Sequence, residues 1–304
     1  MRSKAVRATA RWKATVVLGV LLNAATAQPP GGDNIWTPSI EGRTTYLASG
    51  DANGDAGLNV LISELIARVS GSPWYGSIIN IDAGWTERHY DPDPDLGLGA
   101  PGRRNPFIDA HQFSANARVI QGINREWGVL LAGGVRASAE VGADHLDGVT
   151  WNALAGVGYQ FSPELRLGVG AIALGRLEED VLVVPAIQFD WRFNETWRLR
   201  LEGPALELTW QPSEDWTLGL GARWDSARFR LADDEFPTDG IFEDQRIPVT
   251  LRARHAFTED IWGELTVSVD AWRRLAIEDS EGDRIRSFTA DPGVAIGIAV
   301  GITF

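Results

Sequence analysis

The sequence predicts an all-β fold: an antiparallel, up-and-down transmembrane β-barrel of 12–14 strands. Three observations predict it. Apolar and polar residues alternate with period two along much of the chain, as in strands with two unlike faces. The alternating spans run to about 10–13 residues, longer than the usual ~5–6 of globular strands but right for a strand tilted across a bilayer. The connections alternate between short and long, the pattern of a barrel with tight turns on one side of the membrane and loops on the other. A soluble sandwich also alternates, so the lengths and connections carry the choice.

The first element is an export signal. Met1 to Lys13 is basic and Ala14 to Leu22 is apolar, and Ala25-Thr26-Ala27 supplies small residues for cleavage. This is the three-part pattern of a secretory signal peptide, too short to span a bilayer as a helix. Residues 1–27 are therefore expected to be removed after Ala27, leaving a polar leader (28–37) and a barrel (38–304). No cysteine follows, which excludes a lipid-anchored lipoprotein.

Within the barrel, Ile79, Ile81, Ala83 and Trp85 share one face, with Asn80, Asp82, Gly84 and Thr86 on the other. Leu265, Val267, Val269 and Ala271 alternate with Glu264, Thr266, Ser268 and Asp270. The last strand sets Val294, Ile296, Ile298, Val300, Ile302 and Phe304 against small residues. The apolar faces are expected to meet lipid.

Short turns are expected near Asn124, Ser162, Asn194, Ser213 and Thr258. They repeat a pattern: Ile123-Asn-Arg-Glu-Trp127, Phe161-Ser-Pro-Glu-Leu165, Phe193-Asn-Glu-Thr-Trp197, Gln211-Pro-Ser-Glu-Asp-Trp216 and Phe257-Thr-Glu-Asp-Ile-Trp262. Turn-forming residues stand between bulky ones, which places an aromatic belt at one membrane edge. Thirteen tryptophans against one methionine suit this. The longer connections are Gly50–Gly57, Asp91–Arg104, Val141–Gly148, Arg176–Asp180, Ala232–Arg246 and Glu278–Arg284. The unit Trp197–Trp210 is too short for two full strands. Either Gly203-Pro204 closes a hairpin of two short strands, giving 14, or the segment does not span, giving 12.

The terminal strand, Val-Ala-Ile-Gly-Ile-Ala-Val-Gly-Ile-Thr-Phe304, resembles that of bacterial outer-membrane β-barrels. The resemblance implies residence in the outer membrane of a Gram-negative cell, contact with its lipid, and recognition of Phe304 by the barrel-assembly machinery. The Trp197–Trp210 unit is similar to outer-membrane barrel families of undefined function. A monomer is expected.

The polar faces place Asp82, Arg118, Arg136, Asp190, Arg192, Arg223, Asp225, Arg252, Arg254, Glu264 and Asp270 in or near the lumen. Such charges either pair across the interior or line a narrow channel. In the second case Arg252 and Arg254 would face Glu264 and Asp270, and the transverse field would select small polar solutes. Gly168, Gly170, Gly219, Gly221, Gly297 and Gly301 on inward faces would leave room. A passive pore or small-solute transporter is the expected function, with a structural or partner-binding barrel as the alternative.

Other classes find little support. The 304 residues carry 41 acids against 28 bases, and loss of the signal's five bases moves the net charge from −13 to −18. That disfavours polyanion binding, so no nucleic acid is expected. With no cysteine there is no disulfide, thiolate metal site or cysteine nucleophile. His89, His111, His145 and His255 have no metal-ligand spacing. His111 and Ser114 fall on opposite faces of one strand, and Asp144-His145 with Asp147 reads as a solvated loop. Asp51-Ala-Asn-Gly-Asp55 lacks the glutamate of a calcium loop, and Asp91-Pro-Asp-Pro-Asp95 reads as a solvated acidic loop, with divalent cations bridging it to lipopolysaccharide phosphate as the alternative. No nucleotide-binding motif occurs. Neither catalysis nor a cofactor is expected.

Overall fold

The computed structural model describes residues 36–48, 57–92, 109–232 and 237–304. The predicted signal peptide, its cleavage after Ala27, most of the leader, the Asp51–Asp55 motif and Asp93–Arg104 lie outside them. The strands are β1 (Trp36–Ala48), β2 (Leu58–Gly71), β3 (Ser77–Pro92), β4 (Asp109–Gly122), β5 (Trp127–Glu140), β6 (Val149–Gln160), β7 (Leu165–Arg176), β8 (Glu179–Arg192), β9 (Trp197–Glu202), β10 (Ala205–Trp210), β11 (Trp216–Arg223), β12 (Asp225–Arg230), β13 (Ile241–Ala256), β14 (Ile261–Glu278), β15 (Arg284–Ala290) and β16 (Val294–Thr303). β1 begins at Trp36, two residues before the expected start of the barrel.

Fourteen strands form the wall. Each of β1 to β10 is paired antiparallel with the next, β11 with β13, β13 with β14, β14 with β16, and β16 returns to β1. Gly203-Pro204 closes the hairpin of β9 and β10, with Gly203 in the left-handed region at φ 55°. This is the 14-strand alternative.

The short turns share one device. The side-chain oxygen of Asn124 accepts the N–H groups of Glu126 and Trp127, at 2.9 and 2.8 Å. Asn194, Ser162 and Thr258 do the same for the residues two and three further on. Each turn satisfies its own backbone donors, so it needs no partner from elsewhere.

The outer end departs from a plain tube. β12 and β15 carry β11 and β16 upward past breaks at Trp224 and at Asp291-Pro292-Gly293. β12 pairs with Ile241–Arg246 of β13, and β15 with Arg273–Glu278 of β14. The tip of β12 crosses to β5, where Arg230 bridges Ala139 in parallel. This extension folds over the barrel and buries Phe229, Leu231, Phe242, Leu275 and Ile277 against Leu47, Leu58, Val60, Ile62 and Tyr90 at the tops of β1, β2 and β3. Tyr90 meets Phe229 and Phe242 edge-on, with ring centroids 5.8 and 5.4 Å apart. An apolar core therefore fills the outer mouth over these strands.

Two of the connections expected to be long are strand or tight turn instead. Ile241–Arg246, placed in the Ala232–Arg246 connection, is the top of β13. The Arg176–Asp180 connection is a two-residue turn at Leu177-Glu178, with Leu177 buried and Glu178 at φ 53°. Acidic side chains give both the character of loops, but these acids pair with arginines of β12 and β14. Arg228 lies 2.7 Å from Glu179, and Arg230 pairs with Glu178.

The capped lumen as candidate functional site

The predicted inward residues divide into two groups. One rings the wall below the cap. Glu264 of β14 accepts from Arg43 of β1 at 3.1 Å and from Arg252 of β13 at 3.5 Å. Arg252 also lies 2.7 Å from Glu207 of β10, which stands 3.6 Å from Arg200 of β9. Asp190 of β8 accepts from Arg198 at 2.7 Å, and Asp82 of β3 accepts from Asn116 at 2.8 Å. Arg118 of β4 pairs with Glu202 at the top of β9, five strands away, so this contact crosses the lumen. Arg192 lies exposed at the periplasmic end of β8.

The second group forms the roof. Arg273 donates to both oxygens of Asp244, at 3.0 and 2.9 Å, with each residue almost wholly buried. Arg246 donates to Asp225 at 2.9 and 3.1 Å, and Arg223 lies 3.6 Å from the same carboxylate. Asp270 is 1% exposed and 4.0 Å from Arg246. Asp225 and Asp270 therefore sit in the roof beneath the cap. The expected opposition of Arg252 and Arg254 to Glu264 and Asp270 holds for Arg252 and Glu264. Asp270 lies too high, because it is level with the bulge at Ile247-Pro248. Arg254 stands opposite Glu264 in the β13–β14 ladder, and its guanidinium lies over the Trp262 ring, 3.8 Å from the centroid.

Trp262 itself is a correction. It was placed in the aromatic belt, but it is 4% exposed and points inward. The Phe257 N–H donates to the Ile261 carbonyl, as Ile123 does to Trp127 and Phe193 to Trp197. Ile261 thus occupies the belt position, and one residue later the pleat turns Trp262 to the other face.

The inward glycines also divide. At Gly301 an added Cβ would stand 2.3 Å from the Trp262 ring, at Gly219 2.5 Å from the Arg252 side chain, and at Gly297 2.6 Å from the Thr266 hydroxyl. These three make room for neighbours' side chains. Gly168 and Gly170 line a cavity of about 830 Å³ under β4 to β9, though an added Cβ would stand 2.3 Å from the Ala155 carbonyl oxygen at Gly170 and 3.2 Å from the Gln188 side chain at Gly168. The cavity runs from the periplasmic turns at Asn124 and Pro163 up past Arg118, Gln188 and Asp190 to Glu202 and Gly203. Residues of β9 and Arg43, Glu207 and Asp244 escaped sequence reading, since nothing local marks which inward charge will meet which.

Candidate enzymatic groups gather at the outer rim. The His111 ring lies 6.4 Å from that of His145, and His89 contacts Asp109 at 2.6 Å. Among the described residues no cluster of His, Asp and Glu is arranged to hold a metal ion.

An apolar outer girdle, short inner turns, paired terminal strands and a polar, part-filled interior define an outer-membrane β-barrel. Within that class, the chain belongs to the family described as a domain of unknown function (DUF6268), whose profile matches residues 109–303. No curated protein is significantly similar in sequence. Among solved structures the chain is similar to the COG4313 outer membrane channel from Pseudomonas putida F1, with 12% identity, a TM-score of 0.47 and coverage of 94% of this chain and 100% of that one. It is also similar to the P. putida toluene transporter TodX (9% identity, 90% of each chain, TM-score 0.43). A third likeness is to the KdgM porin (6% identity, 86% of this chain and 99% of that one, TM-score 0.36).

Proposed function

We propose that this barrel is a small-solute transporter rather than a structural or adhesive barrel. The observation that carries the reading is the cavity of about 830 Å³ inside the wall, bordered by charged and amide side chains and by glycines. A barrel with a purely structural role gains nothing from such space, since filling it with side chains would add dispersion contacts. The ring of paired charges leaves the interior polar without a single-sign field, which suits small polar solutes. The reading assigns no catalytic role to the histidines of the rim.

Two further assignments accompany it. Phe304 is assigned as the assembly signal: it is 69% exposed at the periplasmic edge, where its N–H donates to the Pro38 carbonyl at 3.0 Å. The chain is assigned as a monomer, because β16 returns to β1 and the sheet closes within one chain.

Reconstitution of the purified protein in a planar bilayer tests the transporter reading. Conductance steps are expected, with cation preference rising in Arg252→Glu, which places a third acid beside Glu207 and Glu264. A barrel with neither conductance nor solute flux into liposomes would return the structural reading to first place.

A further inference from the structure

Among the described residues the wall is incomplete on one side. β8 pairs with β7 from Glu179 to Trp191, but with β9 only from Gln188 to Arg192. Among the described residues no strand pairs with the β9-facing edge of β8 between Glu179 and Ile187. The missing neighbours are β9 and β10, which turn back at Gly203-Pro204, about half-way up. Beyond them β11 reaches Trp224, whose N–H donates to the Pro204 carbonyl at 3.0 Å. β12 then leans across the mouth to β5 rather than toward β8. The result is a notch with Gly203-Pro204 as its floor, β8 on one side and Trp224 on the other. Arg228–Glu179 and Arg230–Glu178 tie it at the top.

The notch lies at the level of lipid. Val181, Val183 and Ile187 on the outer face of β8 are exposed, Val183 by 64%. An unpaired strand edge is not tolerated against hydrocarbon, because each bare N–H and C=O there costs several kcal/mol. The edge must therefore be met by water or by the polar part of an occupant. Pro185, with no N–H to donate, stands in this stretch, as proline does at sheet edges.

The notch is also continuous with the lumen: Ala186 on its side and Gly203 on its floor border the cavity that leads to the periplasmic turns. Above, the roof carries an excess of cations. Arg88, Arg136, Arg223, Arg246 and Arg273 stand with Asp225, Asp244 and Asp270. Arg136 makes no ion pair among the described residues, and Arg223 remains half-exposed beside Asp225.

Resting on the transporter reading, we propose that the lumen opens sideways into the outer leaflet through this notch and takes amphiphiles. Their tail would lie between Val183 and Trp224, and their anionic head would meet Arg136 and Arg223. The cap narrows the vertical route over β1 to β3, while the notch offers lipid on one side and arginine on the other.

The test uses the full mature chain in nanodiscs and liposomes, with dodecanoate as the probe. The protein has no cysteine, so Ala186→Cys carries a single benzophenone label. Photolysis is expected to attach radiolabelled dodecanoate at this position, competed by excess dodecanoate and not by dodecyltrimethylammonium. Arg136→Gln and Arg223→Gln, each checked for heat-modifiable folding on gels, are expected to weaken the competition about ten-fold. Absence of the adduct, equal competition by the cation, or indifference to both arginines would overturn the proposal. Liposome swelling with arabinose separates the two readings. Swelling without dodecanoate capture sinks the lateral route alone, and failure of both sinks the transporter as well.

Discussion

Asp244 and Arg273 show how much rests on single pairs. Both are buried at the base of the cap, and the bidentate contact leaves neither carboxylate oxygen unpaired. Removing one partner leaves the other charge buried and alone, at a typical cost of 3–5 kcal/mol. Asp244→Ala is therefore expected to lower stability in urea titrations by about that amount. Asp244→Leu combined with Arg273→Met should recover most of the loss, since an apolar pair of similar volume carries no stranded charge. Equal destabilisation by the single and double changes would show that the pair acts through shape rather than charge.

At the scale of the element, the β9–β10 hairpin decides how far the wall rises. Its turn places Gly203 at φ 55°, a conformation that costs a residue with a Cβ about 1–2 kcal/mol. Nothing stands within 4 Å of an added Cβ there, so the strain is purely of the backbone. Gly203→Val is expected to fray the hairpin from its tip. Hydrogen exchange should quicken at Leu201 and Leu206 while the β13–β14 ladder keeps its protection. Uniform loss of protection would mean that the hairpin and the rest of the wall open as one unit.

For the whole molecule, the cap covers the outer mouth. Phe229, Phe242 and Tyr90 interlock across the mouth, joining β12 and β13 to β3. Truncating two aromatic rings of a packed core costs about 3–5 kcal/mol each, and the wall below keeps its own ladder. Phe229→Ala with Phe242→Ala is expected to raise single-channel conductance in planar bilayers while leaving the barrel folded on gels. Unchanged conductance would place the constriction lower, at the Arg118–Glu202 contact.

What the sequence by itself determined about this protein is what acts over a few residues. Period-two alternation set the strands, because neighbouring side chains must face opposite sides of a pleated chain. The side-chain oxygens of Asn124, Ser162, Asn194 and Thr258 set the turns, because they satisfy donors two and three residues away. Only the tertiary structure decided which inward charges meet, that β12 leaves the wall to cap the mouth, and that β8 is left with a bare edge. Those outcomes depend on pairings between distant segments, such as Arg230 with Ala139 and Arg118 with Glu202. Trp262 shows the limit in one residue: its tryptophan matched the belt pattern, but Ile261 holds the belt position and Trp262, one residue further, faces inward. Alternation specifies that there are two faces; long-range pairing specifies what each face meets.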